Sequence, residues 1–325
     1  MIRVLTIVAA MMGVLSVQSL PRRSAMREGG SRVHIEAVVE RIGDSFVGGK
    51  FVSGLAFVGG LTRDDFIVTV DDREVPIEAC VVDDSPITVV VMIDITASTM
   101  WPGVSRGGDV ERALNDELLA QFRNEDRVRF ASFARRVVMA NAFTTNRRLA
   151  RQGLVEAIAP RENERTGPSA IWDALDAALT VLEPEPGRRA VILITDGKST
   201  GNHKNLSEVA DRAIALGIPI STVSVGGPML LSQTSDQIAL VRPGLALERL
   251  SVTTGGLAVE MRKAPPTPGQ PSPLTASVIA LQQAYRISIA TVPADGRFHT
   301  VSIRTRDASY QVRARAAFLV AQSRP

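Results

Sequence analysis

The feature that most constrains the fold of this chain is an apolar run that ends in an aspartate. Five residues, Val89 to Ile93, lead without interruption into Asp94, and two hydroxyls follow at alternate positions, Thr96 and Ser98. A continuous run rich in β-branched residues is typical of a strand buried on both faces, as in parallel sheets covered by helices. A carboxylate placed directly after such a strand lies at the carboxyl edge of the sheet, where open α/β folds bind ligands. The simpler alternative is that these polar residues only cap the next helix.

Alternating strand and helix patterns follow this run, and they predict an α/β fold with a doubly wound, mostly parallel sheet. A second apolar strand, Ala190 to Ile194, is followed by Thr195, Asp196 and a glycine. Between the two strands, a loop containing glycine and proline, Thr166 to Ser169, places a hydroxyl just ahead of a helix. Because parallel strands end at the same edge, we expect all three segments to converge there.

Shifts in composition divide the chain into five parts. We predict a signal peptide at 1–19, a disordered segment at 20–32, an N-terminal β module at 33–87, an α/β domain at 88–284 that includes a proline-rich loop at 264–273, and a C-terminal β segment at 285–325. Period-two alternation marks the flanking segments as antiparallel β structure. Because both flanks border the same domain, we expect that they could pack together.

The amino terminus has the layout of a secretory signal peptide. Arg3 precedes an apolar run from Val4 to Val17, which is short for a membrane span. We therefore expect export to the periplasm, the cell envelope or the exterior, with no membrane span after cleavage; an uncleaved anchor is the alternative. Cys80 is the single cysteine, which excludes an internal disulfide and any cysteine-based metal site.

The overall composition argues against nucleic-acid binding and against several enzyme classes. Aromatic residues are only 4% of the chain, and the net charge of +3 comes from basic residues interleaved with acids. Gly197 to Thr200 resembles the end of a phosphate-binding loop, but Ile192 stands where that loop needs a glycine. No nucleophile motif is present, and the three histidines are far apart in sequence. We therefore expect a protein that is not an enzyme.

The polar residues at the predicted edge are suited to a hard divalent cation. Asp94 and Asp196 supply carboxylates, while Thr96, Ser98 and a middle-loop hydroxyl, Thr166 or Ser169, supply the other oxygens. Mg²⁺ prefers such oxygen ligands and keeps part of its water shell, so a coordination position would stay open. A metal-assisted hydrolase that uses the two aspartates is one alternative reading, and a structural envelope module without metal is another.

In this order, the three segments resemble the metal-ion-dependent adhesion site of von Willebrand factor A domains. The family pattern is Asp-x-Ser-x-Ser, then a Thr, then an Asp, and the resemblance covers about Thr88 to Met261. It implies that Asp94, Thr96, Ser98, Ser169 and Asp196 hold Mg²⁺, or Mn²⁺ or Ca²⁺. It also implies that a protein ligand binds through an Asp or Glu carboxylate. The segments at Gly60–Phe66 and Tyr285–Arg315 also resemble the flanks of exported acidobacterial proteins of this type.

The chain departs from the family pattern at two of the site residues. Thr96 replaces the usual serine and keeps the hydroxyl, while Gly-Pro-Ser stands in place of Gly-Gly-Thr in the middle loop. Alignment of the following helix points to Ser169 as the third element, and Thr166 remains a second candidate. We also expect the loop from Trp101 to Gly108, with its tryptophan, proline and glycines, to form part of the contact surface.

Overall fold

The computed structural model describes residues 32–47, 50–99, 107–159, 167–225, 229–231, 239–241, 244–261, 270–290 and 295–320. The predicted signal peptide, nearly all of the predicted disordered segment and most of the proline-rich loop lie outside these residues. In the part of the chain that the structure describes, no helix is both long and apolar enough to cross a membrane.

The secondary structure alternates in the central region and is almost entirely β at both flanks. The strands are β1 (Arg32–Val47), β2 (Lys50–Phe57), β3 (Phe66–Val70), β4 (Arg73–Val75), β5 (Ile77–Asp83), β6 (Ile87–Asp94), β7 (Arg127–Phe133), β8 (Val137–Met139), β9 (Arg188–Thr195), β10 (Ile220–Val225), β11 (Met229–Leu231), β12 (Ala239–Val241), β13 (Ala258–Met261), β14 (Ala284–Ala290), β15 (Phe298–Thr305), β16 (Tyr310–Ala314) and β17 (Ala317–Leu319). The helices are α1 (Gly107–Ala113), α2 (Arg147–Ile158), α3 (Ile171–Leu182), α4 (Leu206–Leu216), α5 (Gly244–Thr254) and α6 (Pro273–Gln282).

The central sheet has the strand order β13-β10-β9-β6-β7-β8. Neighbouring strands from β13 to β7 run parallel, and β8 is antiparallel at the edge. The chain moves from β6 towards one edge and from β9 towards the other, so the strand order reverses between these two neighbours. The predicted α/β class with a mostly parallel sheet is confirmed. Open sheets of this kind bind ligands where the strand order reverses, which here is at the carboxyl ends of β6 and β9.

Helices cover both faces of this sheet, which explains why β6 and β9 read as unbroken apolar runs. All residues of both strands are buried. Alternate side chains point to opposite faces: Ile192 and Ile194 pack with α2 and α6, while Val191 and Leu193 pack with α3, α4 and α5.

Strands from both flanks form a second unit of two packed antiparallel sheets. One sheet contains β16, β1, β14 and β5, with β2 paired to β1, and the other contains β17, β15, β3 and β4. Each sheet thus combines strands that precede the central domain with strands that follow it. Ile35 and Phe66 from the first flank pack with Tyr285 and Phe318 from the second in one core. Either flank alone would expose half of this core to water.

Two elements differ in detail from what the sequence pattern predicts. The apolar pattern predicts one strand from Val75 to Val82, but β4 ends at Val75 and β5 begins at Ile77. Pro76 cannot donate a ladder hydrogen bond, and at this break the chain passes from the sheet of β3 to that of β14. In the central domain, the apolar spacing predicts a helix from Val110 to Phe122, but α1 ends at Ala113 and gives way to a π-helical turn and a 3-10 turn.

Candidate functional site

Asp94, the last residue of β6, is the centre of a hydrogen-bond network at the carboxyl edge. Its side chain accepts hydrogen bonds at Oδ1 from the backbone N–H and the hydroxyl of Thr96, at 2.9 and 2.7 Å. At Oδ2 it accepts from the Ser169 hydroxyl at 2.8 Å and from the Thr195 hydroxyl at 2.7 Å. Asp94 is only 2% exposed, yet no lysine or arginine among the described residues forms an ion pair with it. The buried carboxylate is therefore held by neutral donors.

The second hydroxyl of the first loop lies at the rim of this network. Thr96 Oγ1 is 3.3 Å from Ser98 Oγ and 3.2 Å from Thr99 Oγ1. Thr99 also donates its backbone N–H to the Thr96 carbonyl, which closes a turn. Ser98 is exposed whereas Thr96 is buried, so the loop presents one hydroxyl inward and one towards solvent.

Asp196 follows β9 and has one carboxylate oxygen without a hydrogen bond. Oδ1 accepts the backbone N–H of Lys198 at 3.0 Å, but Oδ2 is buried and accepts no hydrogen bond. The Lys198 ammonium lies 3.0 Å from this Oδ2 and contributes charge without the alignment of a hydrogen bond. A buried carboxylate oxygen without a donor is costly unless a ligand or water satisfies it. Asp196 Oδ2 therefore has the Lys198 charge beside it but no hydrogen-bond donor, and a cation that displaces Lys198 could bind this oxygen.

The register of the sheet decides which residue of the second aspartate segment meets Asp94. Ile93 pairs with Ile194, so Asp94 lies level with Thr195, and Asp196 extends one residue further. Thr195 Oγ1 also accepts the Gly197 N–H at 3.1 Å. The sequence motif contains Thr195 but does not predict its contact with Asp94. The hydrogen bond between these two residues depends on the register between β6 and β9.

The middle loop is fixed by hydrogen bonds to the loop that follows β9. Ser169 donates its N–H to the Thr200 hydroxyl at 3.0 Å, and Thr200 donates its N–H to the Ser169 carbonyl at 2.8 Å. The Trp172 N–H donates to Asn202 Oδ1 at 2.7 Å. These bonds hold the Ser169 hydroxyl against Asp94. No sequence signal marked Thr200 or Asn202 for this role.

Asp173 ties the same two segments together on the outer side. It accepts hydrogen bonds from the backbone N–H groups of His203 and Lys204 and lies 2.9 Å from His203 Nδ1. Burial alone would raise the pKa of the Asp173 carboxyl, but these backbone and imidazole donors outweigh it and the pKa is lowered. Asp173 is thus kept as a carboxylate that positions the loop.

The predicted site residues fall into two groups in the structure. Asp94, Thr96 and Ser169 are joined directly, and Ser98 is reached through Thr96, whereas Asp196 stands at the end of the adjacent strand beside Thr195. Thr166 lies outside the described residues. So do residues 101–106 of the expected contact loop, while Gly107 and Gly108 open α1.

The donor set fits a hard divalent cation better than a transition metal. No group of three or more His, Cys, Asp or Glu side chains that could hold a metal occurs among the described residues. The oxygens available are those of Asp94 and Asp196 and the hydroxyls around them, which suits a cation that takes hydroxyl and water ligands alongside carboxylates. The Asp196 Oδ2 atom, buried without a hydrogen bond, gives such a cation a ready ligand.

Comparisons with known proteins relate part of this chain to a known domain family. Residues 89–241 match the family model of the von Willebrand factor type A domain. The chain is similar to a conserved hypothetical protein, BatB, from Bacteroides thetaiotaomicron, with 21% identity over 55% of this chain and 91% of that one and a TM-score of 0.42. It is also similar to an aerotolerance-related membrane protein from Bacteroides fragilis, with 18% identity over 60% and 96% of the two chains and a TM-score of 0.45. No curated protein matches the chain.

Proposed function

This chain contains a von Willebrand factor type A domain, a protein-interaction module, and we propose that it is an exported, non-enzymatic binding protein that works through a divalent cation. The observation that carries the proposal is the pair of aspartates at the switch point of the sheet. Asp94 is buried among neutral donors, and Asp196 Oδ2 is buried without a hydrogen bond. Buried carboxylates in such surroundings favour a cation over any neutral partner.

The residues that would hold the cation are Asp94, Thr96, Ser98, Ser169 and Asp196, as the family resemblance implies. Mg²⁺ is the first candidate, with Mn²⁺ or Ca²⁺ as substitutes. When bound, the cation supplies Lewis acidity and an exchangeable position towards solvent. The chain's own hydroxyls keep the carboxylates oriented through the hydrogen bonds that they donate to Asp94.

The partner that suits this site is a protein with an exposed Asp or Glu. A carboxylate adds both negative charge and an oxygen ligand, so it is the best group for the open position of a hard cation. We expect affinity for the partner to depend on the cation and on one acidic partner residue together. No catalytic role is proposed for any of the five residues, since no nucleophile–base pair is found among them.

The metal proposal predicts a stability increment that one substitution removes. We expect Mg²⁺ at one hundred times its Kd to stabilise the wild-type protein by about 2.7 kcal/mol, because only the folded chain assembles the site. Asp94→Asn keeps the shape of the side chain but loses its charge, and it should abolish this increment. Calorimetry and thermal unfolding with Mg²⁺ or EDTA measure both effects.

The matched control is Asp64→Asn, which removes an exposed carboxylate from a distant 3-10 turn. It should bind Mg²⁺ as the wild-type protein does. An Asp94→Asn protein with unchanged metal affinity would contradict the proposed site. A pull-down from envelope extract with Mg²⁺ or with EDTA then tests the partner, whose acidic residues can be changed singly to Asn or Gln.

Export is the second part of the proposal, and it rests on the charge and apolar pattern of residues 1–19. The mature chain is expected to begin near Leu20 in the periplasm or outside the cell. Amino-terminal sequencing of the protein from fractionated cells tests this directly, and recovery of an intact Met1 from the cytoplasm would argue against it.

A further inference from the structure

Lys198 turns its ammonium group back onto the aspartate that precedes it by two residues. Its Nζ lies 3.0 Å from Asp196 Oδ2, the buried oxygen that accepts no hydrogen bond. The Asp196 side chain is 2% exposed, whereas that of Lys198 is 38% exposed. The lysine therefore approaches from the solvent side and covers a buried carboxylate oxygen that accepts no hydrogen bond.

We propose that Lys198 is a built-in counter-ion that competes with the divalent cation for Asp196 and is released when the cation binds. The inference rests on the proposed function, since it requires a cation at Asp196. An ammonium 3.0 Å from Oδ2 would repel a dication bound to the same oxygen, and little water separates charges at this depth. The two cations therefore exclude each other at this atom.

The lysine can leave without any change in the loop that carries it. The backbone N–H of Lys198 donates to Asp196 Oδ1, on the other side of the carboxylate, at 3.0 Å. This bond holds the main chain while the four-carbon stem, already partly exposed, rotates towards solvent. Release of the side chain thus needs only a change of rotamer.

The released ammonium has a use at the surface where the partner binds. It remains on the loop after β9, next to the aspartate whose cation faces the partner's carboxylate. There it adds positive charge at the rim, which favours an acidic partner segment over a neutral one. In the cation-free protein the Lys198 charge is neutralised by Asp196. Loss of the cation therefore removes two attractions for an acidic partner, the cation itself and the free ammonium of Lys198.

Lys198→Met tests the competition, because methionine keeps most of the length of the side chain and removes its charge. We expect Mg²⁺ to bind this variant about two- to fivefold more tightly than the wild-type protein, the effect of removing one partly exposed ion pair. Lys204→Met is the matched control: Lys204 lies on the same loop but pairs with partly exposed Glu208 at 3.9 Å. Its Mg²⁺ affinity should equal that of the wild-type protein.

Thermal unfolding provides a second measurement that does not depend on affinity. In EDTA, Lys198→Met should melt below the wild-type protein, because Asp196 Oδ2 then has neither cation. Saturating Mg²⁺ should remove the difference. The control variant should melt with the wild-type protein in both conditions.

The outcomes separate this inference from the function on which it rests. Equal or weaker Mg²⁺ binding by Lys198→Met, with normal binding by the wild-type protein, would overturn the competition and leave the metal site intact. If neither protein binds Mg²⁺, Mn²⁺ or Ca²⁺, the proposed function and the inference both fail. Tighter Mg²⁺ binding by Lys198→Met, with wild-type affinity in Lys204→Met, supports both the proposed function and the inference.

Discussion

The two ends of the central strands both bury charged side chains, but they satisfy those charges in opposite ways. At the amino edge, β9 begins with Arg188 and Arg189, which are 6% and 8% exposed. At the carboxyl edge, Asp94 and Asp196 are equally buried, at 2% and 5%. The arginines are surrounded by carbonyl and carboxylate acceptors, whereas the aspartates have hydroxyl and amide donors and only one lysine near them.

At the amino edge, buried arginines connect the central sheet to its helices and to the two-sheet β unit. Arg188 donates to the carbonyls of Leu281 and Gln282, at the end of α6, at 2.9 and 3.2 Å, and it contacts Glu36 of β1. A cation at a helix carboxyl terminus also complements the helix dipole. Arg188 therefore joins β9, α6 and the β unit at one point.

Its neighbour Arg189 does the same on the other face of the sheet. Consecutive strand residues point to opposite faces, so Arg189 reaches the ends of α3 and α4. It donates to the carbonyls of Glu183 and Leu216 at 3.0 and 2.8 Å. Burial lowers the pKa of the Arg189 guanidinium, while the charges of Glu183 and Glu36 counter this effect.

The difference teaches how a structural charge can be told from a functional one. A buried arginine whose N–H groups donate to carbonyl and carboxylate oxygens gains nothing by binding a further ligand. Its removal leaves those acceptors without a donor. A buried carboxylate held by neutral hydroxyls, or left with an oxygen that accepts no hydrogen bond, gains by binding a cation. Stability should therefore respond to substitutions at the amino edge, and cation affinity to substitutions at the carboxyl edge.

The largest effect on stability is expected at Arg188. Arg188→Met should lower the free energy of unfolding by about 3 kcal/mol, because it leaves three carbonyls and the Glu36 carboxylate without their donor. Urea unfolding measures this loss, with exposed Arg135→Met as the control. Mg²⁺ affinity of the folded Arg188 variant should stay at the wild-type value. An Arg188→Met protein that lost Mg²⁺ binding but kept the wild-type stability would contradict the proposed difference between the two edges.

A matched pair of glycines gives the next largest contrast. Gly255 at the amino edge has φ +84°, and a Cβ there would lie 2.7 Å from the backbone nitrogen of Arg315. Gly201 beside the site has φ +68°, and its Cβ would lie 2.7 Å from the Pro168 ring. We expect Gly255→Ala to cost about 2–3 kcal/mol and Gly201→Ala about 1–2 kcal/mol, since backbone yields less than a side chain.

Unfolding and Mg²⁺ titration of both alanine variants sharpen this contrast. Gly201→Ala should weaken metal binding, because Thr200 holds Ser169 in place, while Gly255→Ala should not. Equal effects of the two substitutions on Mg²⁺ affinity would show that the edges are not independent.

The smallest effect concerns acid stability at the amino edge. Burial would raise the pKa of the Asp83 carboxyl, but hydrogen bonds from Ser85 and the charges of Arg188 and Arg286 lower it below its ordinary 3.8. A lowered folded-state pKa contributes stability above the unfolded value, and this is lost as the pH falls through the folded value. Asp83→Asn should therefore cost about 1 kcal/mol at pH 7.

The cost of Asp83→Asn should shrink as the pH falls below about 4. The wild-type carboxyl then becomes protonated and, like the asparagine of the variant, carries no charge. Urea unfolding at a series of pH values measures this difference, and exposed Asp84→Asn is the control. A cost that stays constant down to pH 2 would show that Asp83 acts through shape and not through its charge.

Local pattern was sufficient to predict the central sheet and most of the candidate site. The unbroken apolar runs of β6 and β9 specify strands buried on both faces, and the carboxylates that follow them must then lie at one edge. The family resemblance pointed to Ser169, and its hydroxyl does bond to Asp94 at 2.8 Å. The strands depend on residues close together in sequence, and periodicity identifies them.

Contacts between distant residues were decided only by the tertiary structure. Thr195 contacts Asp94 because of the register between β6 and β9, which no local pattern encodes. The flanks form one two-sheet unit because neither could cover its own apolar face. Arg188 links β9 to α6 only because the carboxyl end of α6 lies beside it. The sequence by itself determined which segments are strands and which polar residues reach the edge, since periodicity is a local property. Pairing, register and the partner of each buried charge depend on packing between segments far apart in the chain, so only the folded structure could decide them.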